Sequence, residues 1–133
     1  MSQQVTVYVV DNDRATRDVL EVSLAVAGYA VESFSSCRKF IEKFQPAEKS
    51  CLILDVNLQD MGPTEPVSFL EQCGVHLPIV WLADRGEPAL QTQRSVAGAL
   101  ALLEKPLDPD LVLRTIESML ARTADTAGAR LSA

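Results

Sequence analysis

The sequence predicts an α/β domain: a doubly wound, five-stranded parallel sheet with helices on both faces. Three observations lead there. Apolar, β-branched runs alternate strictly with helical stretches, five times over, as in a series of right-handed strand–helix–strand units. The run from Cys51 to Leu54 is continuously apolar rather than alternating, as expected of a strand buried on both faces. Acidic, amide or small residues follow several of the apolar runs, at the sheet edge where open α/β folds gather ligands. The 133 residues are enough for one core of ordinary size.

Val5 to Val10 (Val-Thr-Val-Tyr-Val-Val) forms the first strand. Asp11-Asn12-Asp13 ends it and is placed to cap a helix from about Arg14 to Ala27, which Gly28 stops. Tyr29 to Phe34 is the second strand, and Ser35-Ser36 caps a helix from about Cys37 to Phe44, closed by Pro46. Cys51 to Asp55 is the third strand, four apolar residues running straight into a carboxylate. A loop covers 57–63, and Thr64 caps a short helix to about Cys73. Pro78 opens the fourth strand, Ile79 to Leu82, and Ala83 to Gly86 is a loop. Glu87-Pro88 starts a helix to about Ala97, with proline at a first-turn position that tolerates it. Leu100 to Leu103 is the fifth strand, and Asp108-Pro109 begins a last helix to about Arg122. Residues 1–122 are thus expected to form the domain. Residues 123–133, small and weakly polar, are expected to be a frayed tail or the start of a linker.

The first helix carries two apolar stripes. Thr16, Leu20, Ser23, Leu24 and Ala27 share one face, and Ala15, Val19, Val22 and Val26 lie beside it at spacings of 4, 3 and 4. A helix packed on a sheet needs one stripe, so the second is either the seam of a homodimer or part of a wide buried face.

Composition excludes several classes. Twelve basic and eighteen acidic residues leave a formal charge of −6, against a nucleic-acid or anionic-membrane surface. No apolar run approaches the ~20 residues of a membrane span. The start, Met-Ser-Gln-Gln, lacks the pattern of a signal peptide, so a cytoplasmic location is expected. Cys37, Cys51 and Cys73, an odd count without C-x-x-C spacing, are expected to be reduced, mostly buried thiols. The absence of a glycine-rich phosphate loop leaves a dinucleotide or flavin cofactor unsupported. There is no nucleophile elbow, and the sole histidine, His76, precedes Pro78 on the far edge of the sheet. A conventional enzyme is not expected.

What does collect at the carboxyl edge is Asp11, Asn12, Asp55, Ala83 and Lys105. Acidic and amide oxygens facing one lysine suit a hard divalent cation such as Mg²⁺. Asp11 and Asp13 serve equally as helix caps. Asp55 at the end of a buried strand needs a partner, because an ionised carboxylate is costly to bury alone. Lys105 supplies one, whether the pair is reactive or inert.

Val-Val-Asp-x-Asp at 9–13, Leu-Asp at 54–55 and Leu-Glu-Lys-Pro at 103–106 resemble the receiver domain of bacterial two-component response regulators. Ala27-Gly28-Tyr29-Ala30-Val31 and Phe34-Ser35-Ser36 are similar to the FixJ type, whose receivers precede a transcription-activating helix-turn-helix. The resemblance covers about residues 4–121. It implies a CheY-like (flavodoxin-like) fold with strand order 2-1-3-4-5, and phosphoryl transfer from a sensor histidine kinase or phosphotransfer protein to one aspartate. Asp55 matches the acceptor, Asp11 and Asn12 the pair that holds Mg²⁺, and Asn57 the residue whose carbonyl is a further ligand. Lys105 matches the phosphoryl-binding lysine, and the Lys105–Pro106 bond is expected to be cis.

Several positions depart from that pattern. Asn12 replaces an acid, which weakens the expected Mg²⁺ site. Ala83 stands where the family has a hydroxyl that bonds the phosphoryl group. Asp84 puts an extra carboxylate beside it, and Leu102 replaces the aromatic switch. Gln59 and Pro63 stand where the family has proline and glycine. The expected function is a receiver domain phosphorylated on Asp55 with Mg²⁺, signalling to a partner or output domain. The alternative is a degenerate receiver that binds a protein partner without phosphorylation. No nucleic-acid binding by this chain is expected.

Overall fold

The structure, a computed structural model, describes residues 4–45, 49–58, 70, 72, 74, 77–84 and 99–132. Of the helix expected from Thr64 to Cys73 it describes Leu70 and Gln72, both helical. The loop positions Gln59 and Pro63, His76, Cys73, Pro46 and the helix expected from Glu87 to Ala97 lie outside the described residues.

The chain runs β1 (Thr6–Val10), α1 (Arg14–Val26), β2 (Ala30–Phe34), α2 (Cys37–Lys43), β3 (Ser50–Asp55), β4 (Ile79–Asp84), β5 (Ala99–Lys105) and a C-terminal helix, α3 (Pro109–Ser132). The strands form one sheet in the order β2-β1-β3-β4-β5, and every pairing is parallel. This is the fold class the sequence predicts and the strand order the resemblance implies. β3 lies at its centre, and all six of its residues are buried.

Strand periodicity divides the core between the two faces of the sheet. Tyr8, Val10, Leu52, Leu54 and Trp81 point to one side, where Phe34, Cys37 and Phe40 join them. There the rings of Tyr8, Phe40 and Phe44 pack with centroids 5.3–5.4 Å apart. Val7, Val9, Cys51, Ile53, Val80 and Leu82 point to the other side, against Leu20 and Leu24 of α1 and Val112, Ile116 and Met119 of α3. Each such side chain contributes roughly 1.5–3 kcal/mol on burial. Cys37 and Cys51 are free buried thiols, and burial pushes the Cys51 thiol up to about 12. No described helix is long and apolar enough to cross a membrane.

The helix signals act as local chemistry requires. The Asp13 side chain caps α1 by accepting from the Ala15 N–H, and Ser36 caps α2 by accepting from the Lys39 N–H. Gly28, at φ +100°, makes the left-handed turn out of α1. Of the two stripes on α1, the first is core: Thr16, Leu20 and Leu24 are buried. The second is not a wide buried face, because Val19, Val22 and Val26 are 43%, 66% and 84% exposed.

Three ends differ from expectation. β4 and β5 do not stop at Leu82 and Leu103. Their pairing continues through Ala83 with Glu104 and Asp84 with Lys105, so residues expected in loops are strand residues. The partner strand supplies hydrogen bonds that propensity alone does not reveal. The last helix, expected to end near Arg122, continues to Ser132. Its extension is rich in alanine and free of proline, which favours helix.

Candidate functional site

Two strands at the middle of the sheet each end on a carboxylate. β1 passes from Val10 into Asp11, and β3 finishes at Asp55. Both are buried, at 0% and 3% exposure. They are held in the same way. The Asp13 N–H donates to Asp11 Oδ1 at 2.8 Å, and the Asn57 N–H donates to Asp55 Oδ1 at 2.9 Å. Each aspartate thus closes a turn onto the amide two residues further on, a conformation its short side chain favours.

The other oxygen of each faces one cation. Lys105, the last residue of β5, places its Nζ 2.8 Å from Asp11 Oδ2 and 3.4 Å from Asp55 Oδ2. The lysine side chain is 17% exposed, so the pairing is shielded but open at the edge. The Lys105–Pro106 bond is cis, as the resemblance implied.

Burial pushes the Asp55 carboxyl up to about 6, with the Asp11 charge adding to the effect and the Asn57 N–H and Lys105 opposing it. For Lys105, burial acts to lower the ammonium, but the hydrogen bond and charge of Asp11, with those of Asp55, outweigh it and the net direction is upward. Asp13 is lowered, chiefly by the Thr16 hydroxyl, which donates to its Oδ2 at 2.7 Å.

The sequence-selected residues fall into two groups. Asp11, Asp55 and Lys105 converge within hydrogen-bonding range, and Asn57 holds Asp55 through its backbone. Asn12 is exposed beside Asp11, and Asp13 is the cap of α1. Ala83 is fully buried at the end of β4 and brings no hydroxyl. Leu102 is partly buried against the face that holds Trp81, its register partner. One contributor was not selected from sequence: Arg17 Nη1 donates to the Asp11 carbonyl oxygen at 2.6 Å, tying α1 to the end of β1. Its signal was there, an arginine one turn into a helix whose cap follows Asp11. The in-register placement of Asp84 against Lys105 was hidden, because it depends on how far β4 and β5 pair.

Asp11 and Asp55 bring two buried carboxylates to one edge, oxygen donors of the kind a hard cation takes. Among the described residues no three His, Cys, Asp or Glu side chains converge as a metal cluster.

A doubly wound sheet of order 2-1-3-4-5, with two buried aspartates and one lysine on its carboxyl edge, defines a receiver-type domain. The chain belongs to the response regulator receiver domain family, which residues 7–117 match. It is 27% identical over 125 residues to the transcriptional regulatory protein FixJ of Azorhizobium caulinodans, covering 94% of this chain and 59% of that protein. It is 29% identical over 114 residues to the response regulator TodT of Pseudomonas putida, covering 86% of this chain and 50% of that protein. The chain therefore spans little more than half the length of these curated relatives. Among solved structures it is similar to the response regulator StyR, with a TM-score of 0.78 and 31% identity over 98% of this chain and 66% of that one. The chemotaxis protein CheY4 of Vibrio cholerae matches with a TM-score of 0.76 and 28% identity, over 88% of this chain and 99% of that one. The FixJ-type, CheY-like likeness read from the motifs is thus borne out.

Proposed function

We propose that Asp55 is the phosphoacceptor of a two-component phosphorelay, taking a phosphoryl group from a phosphohistidine on a sensor histidine kinase or phosphotransfer protein. One observation carries this assignment: a buried aspartate ends the central strand with one oxygen 3.4 Å from the ammonium of Lys105. Family membership supports the chemistry, and the geometry supports these residues for it.

The Asn57 N–H fixes Asp55 Oδ1, so Oδ2 is the oxygen presented to a donor. Lys105 sits where the charge of the arriving phosphoryl oxygens must be neutralised. Asp11, held by the Asp13 N–H, keeps that ammonium in place. Asp11, Asn12, Asp55 and the Asn57 carbonyl would hold Mg²⁺, which supplies further positive charge for the transferring group when bound. Asn12 contributes no charge to that site. Asn12→Asp is expected to tighten Mg²⁺ binding about tenfold, a change calorimetric titration reads directly.

The output is weaker than the input. A hydrogen bond to a charged group is worth roughly 1.5–3 kcal/mol. Driving a two-state switch from about 1:99 to 99:1 takes roughly 5.5 kcal/mol. The missing hydroxyl at Ala83 removes a quarter to a half of that drive, and Leu102 provides no aromatic switch. The names of the relatives, transcriptional regulators among them, support an output on transcription through a partner or an attached segment. Pairing of two copies through α1 is supported by one observation, the exposure of Val19, Val22 and Val26. A phosphorylation-independent interaction module, suggested by Asn12, Ala83 and Leu102, is not favoured by the family match.

The test is incubation with phosphoramidate and Mg²⁺, followed by intact mass. Addition of one phosphate to the wild type and none to Asp55→Asn is expected. An unlabelled wild type, under conditions that label an ordinary receiver, would sink the assignment.

A further inference from the structure

Asp84 is in register with Lys105 across the β4–β5 pair. Register partners in a parallel pair project from the same face on strands about 4.8 Å apart, so this carboxylate stands beside the lysine on the outer side of the site. Asp84 is exposed, and no ion pair or hydrogen bond engages it among the described residues. With exposed Asp13 it flanks a cleft of about 520 Å³, walled also by Ala15, Thr16, Lys105 and Leu107. The ammonium in that wall is already shared by the buried Asp11 and Asp55. The Arg17 guanidinium is turned to the Asp11 carbonyl. Among the described residues, the wall of that cleft therefore sets two exposed carboxylates, Asp13 and Asp84, beside an ammonium already engaged by Asp11 and Asp55.

We infer that Asp84 is a specificity-determining residue that selects phosphoryl donors by charge, disfavouring dianionic small molecules relative to donors of lower charge. The inference rests on Asp55 as the phosphoacceptor. Acetyl phosphate carries about two negative charges near neutral pH, and phosphoramidate, zwitterionic with a protonated nitrogen, carries about one. In both reactions an Asp55 oxygen forms the new bond to phosphorus. The P–O bond of the first breaks to release acetate, and the P–N bond of the second breaks to release ammonia. The electron pair of the broken bond leaves with the departing group, and charge balances in each case. The repulsion from a fixed carboxylate scales with the donor's charge, so the logarithm of its effect on rate is doubled for the dianion. A partner protein that presents phosphohistidine can offset these carboxylates with its own cations, whereas a free dianion cannot.

The experiment compares wild type with Asp84→Asn, which keeps size and removes charge, in Mg²⁺ at low ionic strength. Labelling rates with the two donors are read by intact mass. Asp84→Asn is expected to speed labelling by acetyl phosphate roughly tenfold and by phosphoramidate about threefold. Both gains are expected to collapse towards unity at about 0.5 M salt. Equal gains with the two donors, gains indifferent to salt, or no gain would overturn the inference while leaving Asp55 as the acceptor. No labelling of either protein by either donor would overturn the assignment of Asp55, and this inference with it.

Discussion

Lys105→Met is expected to destabilise the domain by about 3 kcal/mol at neutral pH, read as a shift in the urea midpoint at unchanged slope. The substitution leaves two carboxylates, 0% and 3% exposed, without the ammonium that lies 2.8 and 3.4 Å from them. The figure sits at the low end for a broken buried pair because the lysine retains some exposure, which lets water reach the edge of the site. Lys105 holds the Asp55 carboxyl down, so in the variant Asp55 takes up its proton above pH 6, and the part of the loss owed to Asp55 is expected to shrink as pH falls towards 6. Lys105→Met with Asp55→Asn should cost less than the sum of the two changes, because the groups belong to one network.

Asp55→Asn alone is expected to act in the opposite direction and stabilise the fold by about 1–2 kcal/mol at neutral pH. The sign follows from the carboxyl's rise from its ordinary 3.8 to about 6 on folding, caused first by burial. Between those values the folded state binds more protons than the unfolded one, so stability falls as pH rises. Such a rise is worth at most about 3 kcal/mol, and exposure of the site at the sheet edge discounts it. The advantage of the variant should be complete above about pH 6 and absent below about pH 4. Urea melts at several pH values would show it, and a uniform loss of stability across the range would contradict it. The asparagine carbonyl can still accept from the Asn57 N–H, so the turn survives the substitution. On this expectation the central carboxylate carries a cost to folding, which supports the proposed role of Asp55.

The fold was legible because its signals are local. Val5 to Val10 is a β-branched run and Cys51 to Asp55 a short apolar one bounded by turn residues, both strand signals, and Asp13, Ser36 and Gly28 mark the helix ends by their own chemistry. Asp11, Asp55 and Lys105 were legible because parallel strands deliver their last residues to one edge. Less visible was anything set by a neighbour. Ala83, Asp84 and Glu104 carry little strand propensity, and they are strand because β4 and β5 pair that far. The second stripe of α1 obeys the same periodicity as the first, and only packing tells an exposed valine from a buried leucine. The continuation of the last helix past Arg122 depends on alanines that a linker also uses. Arg17 entered the site through a main-chain carbonyl, which side-chain type alone does not announce.

The paired turns at Asp11 and Asp55 also give each carboxylate two unlike halves. One oxygen of each belongs to the backbone, tied to an amide two residues on, and the other belongs to the ammonium. For the proposed role of Asp55, Oδ2 is then the oxygen presented to an electrophile, and the turn onto the Asn57 N–H, rather than free side-chain rotation, sets its direction. A glutamate keeps the charge but reaches past the turn, freeing both oxygens to rotate. At the end of β3, the length of the side chain is as much a part of the chemistry as its acidity.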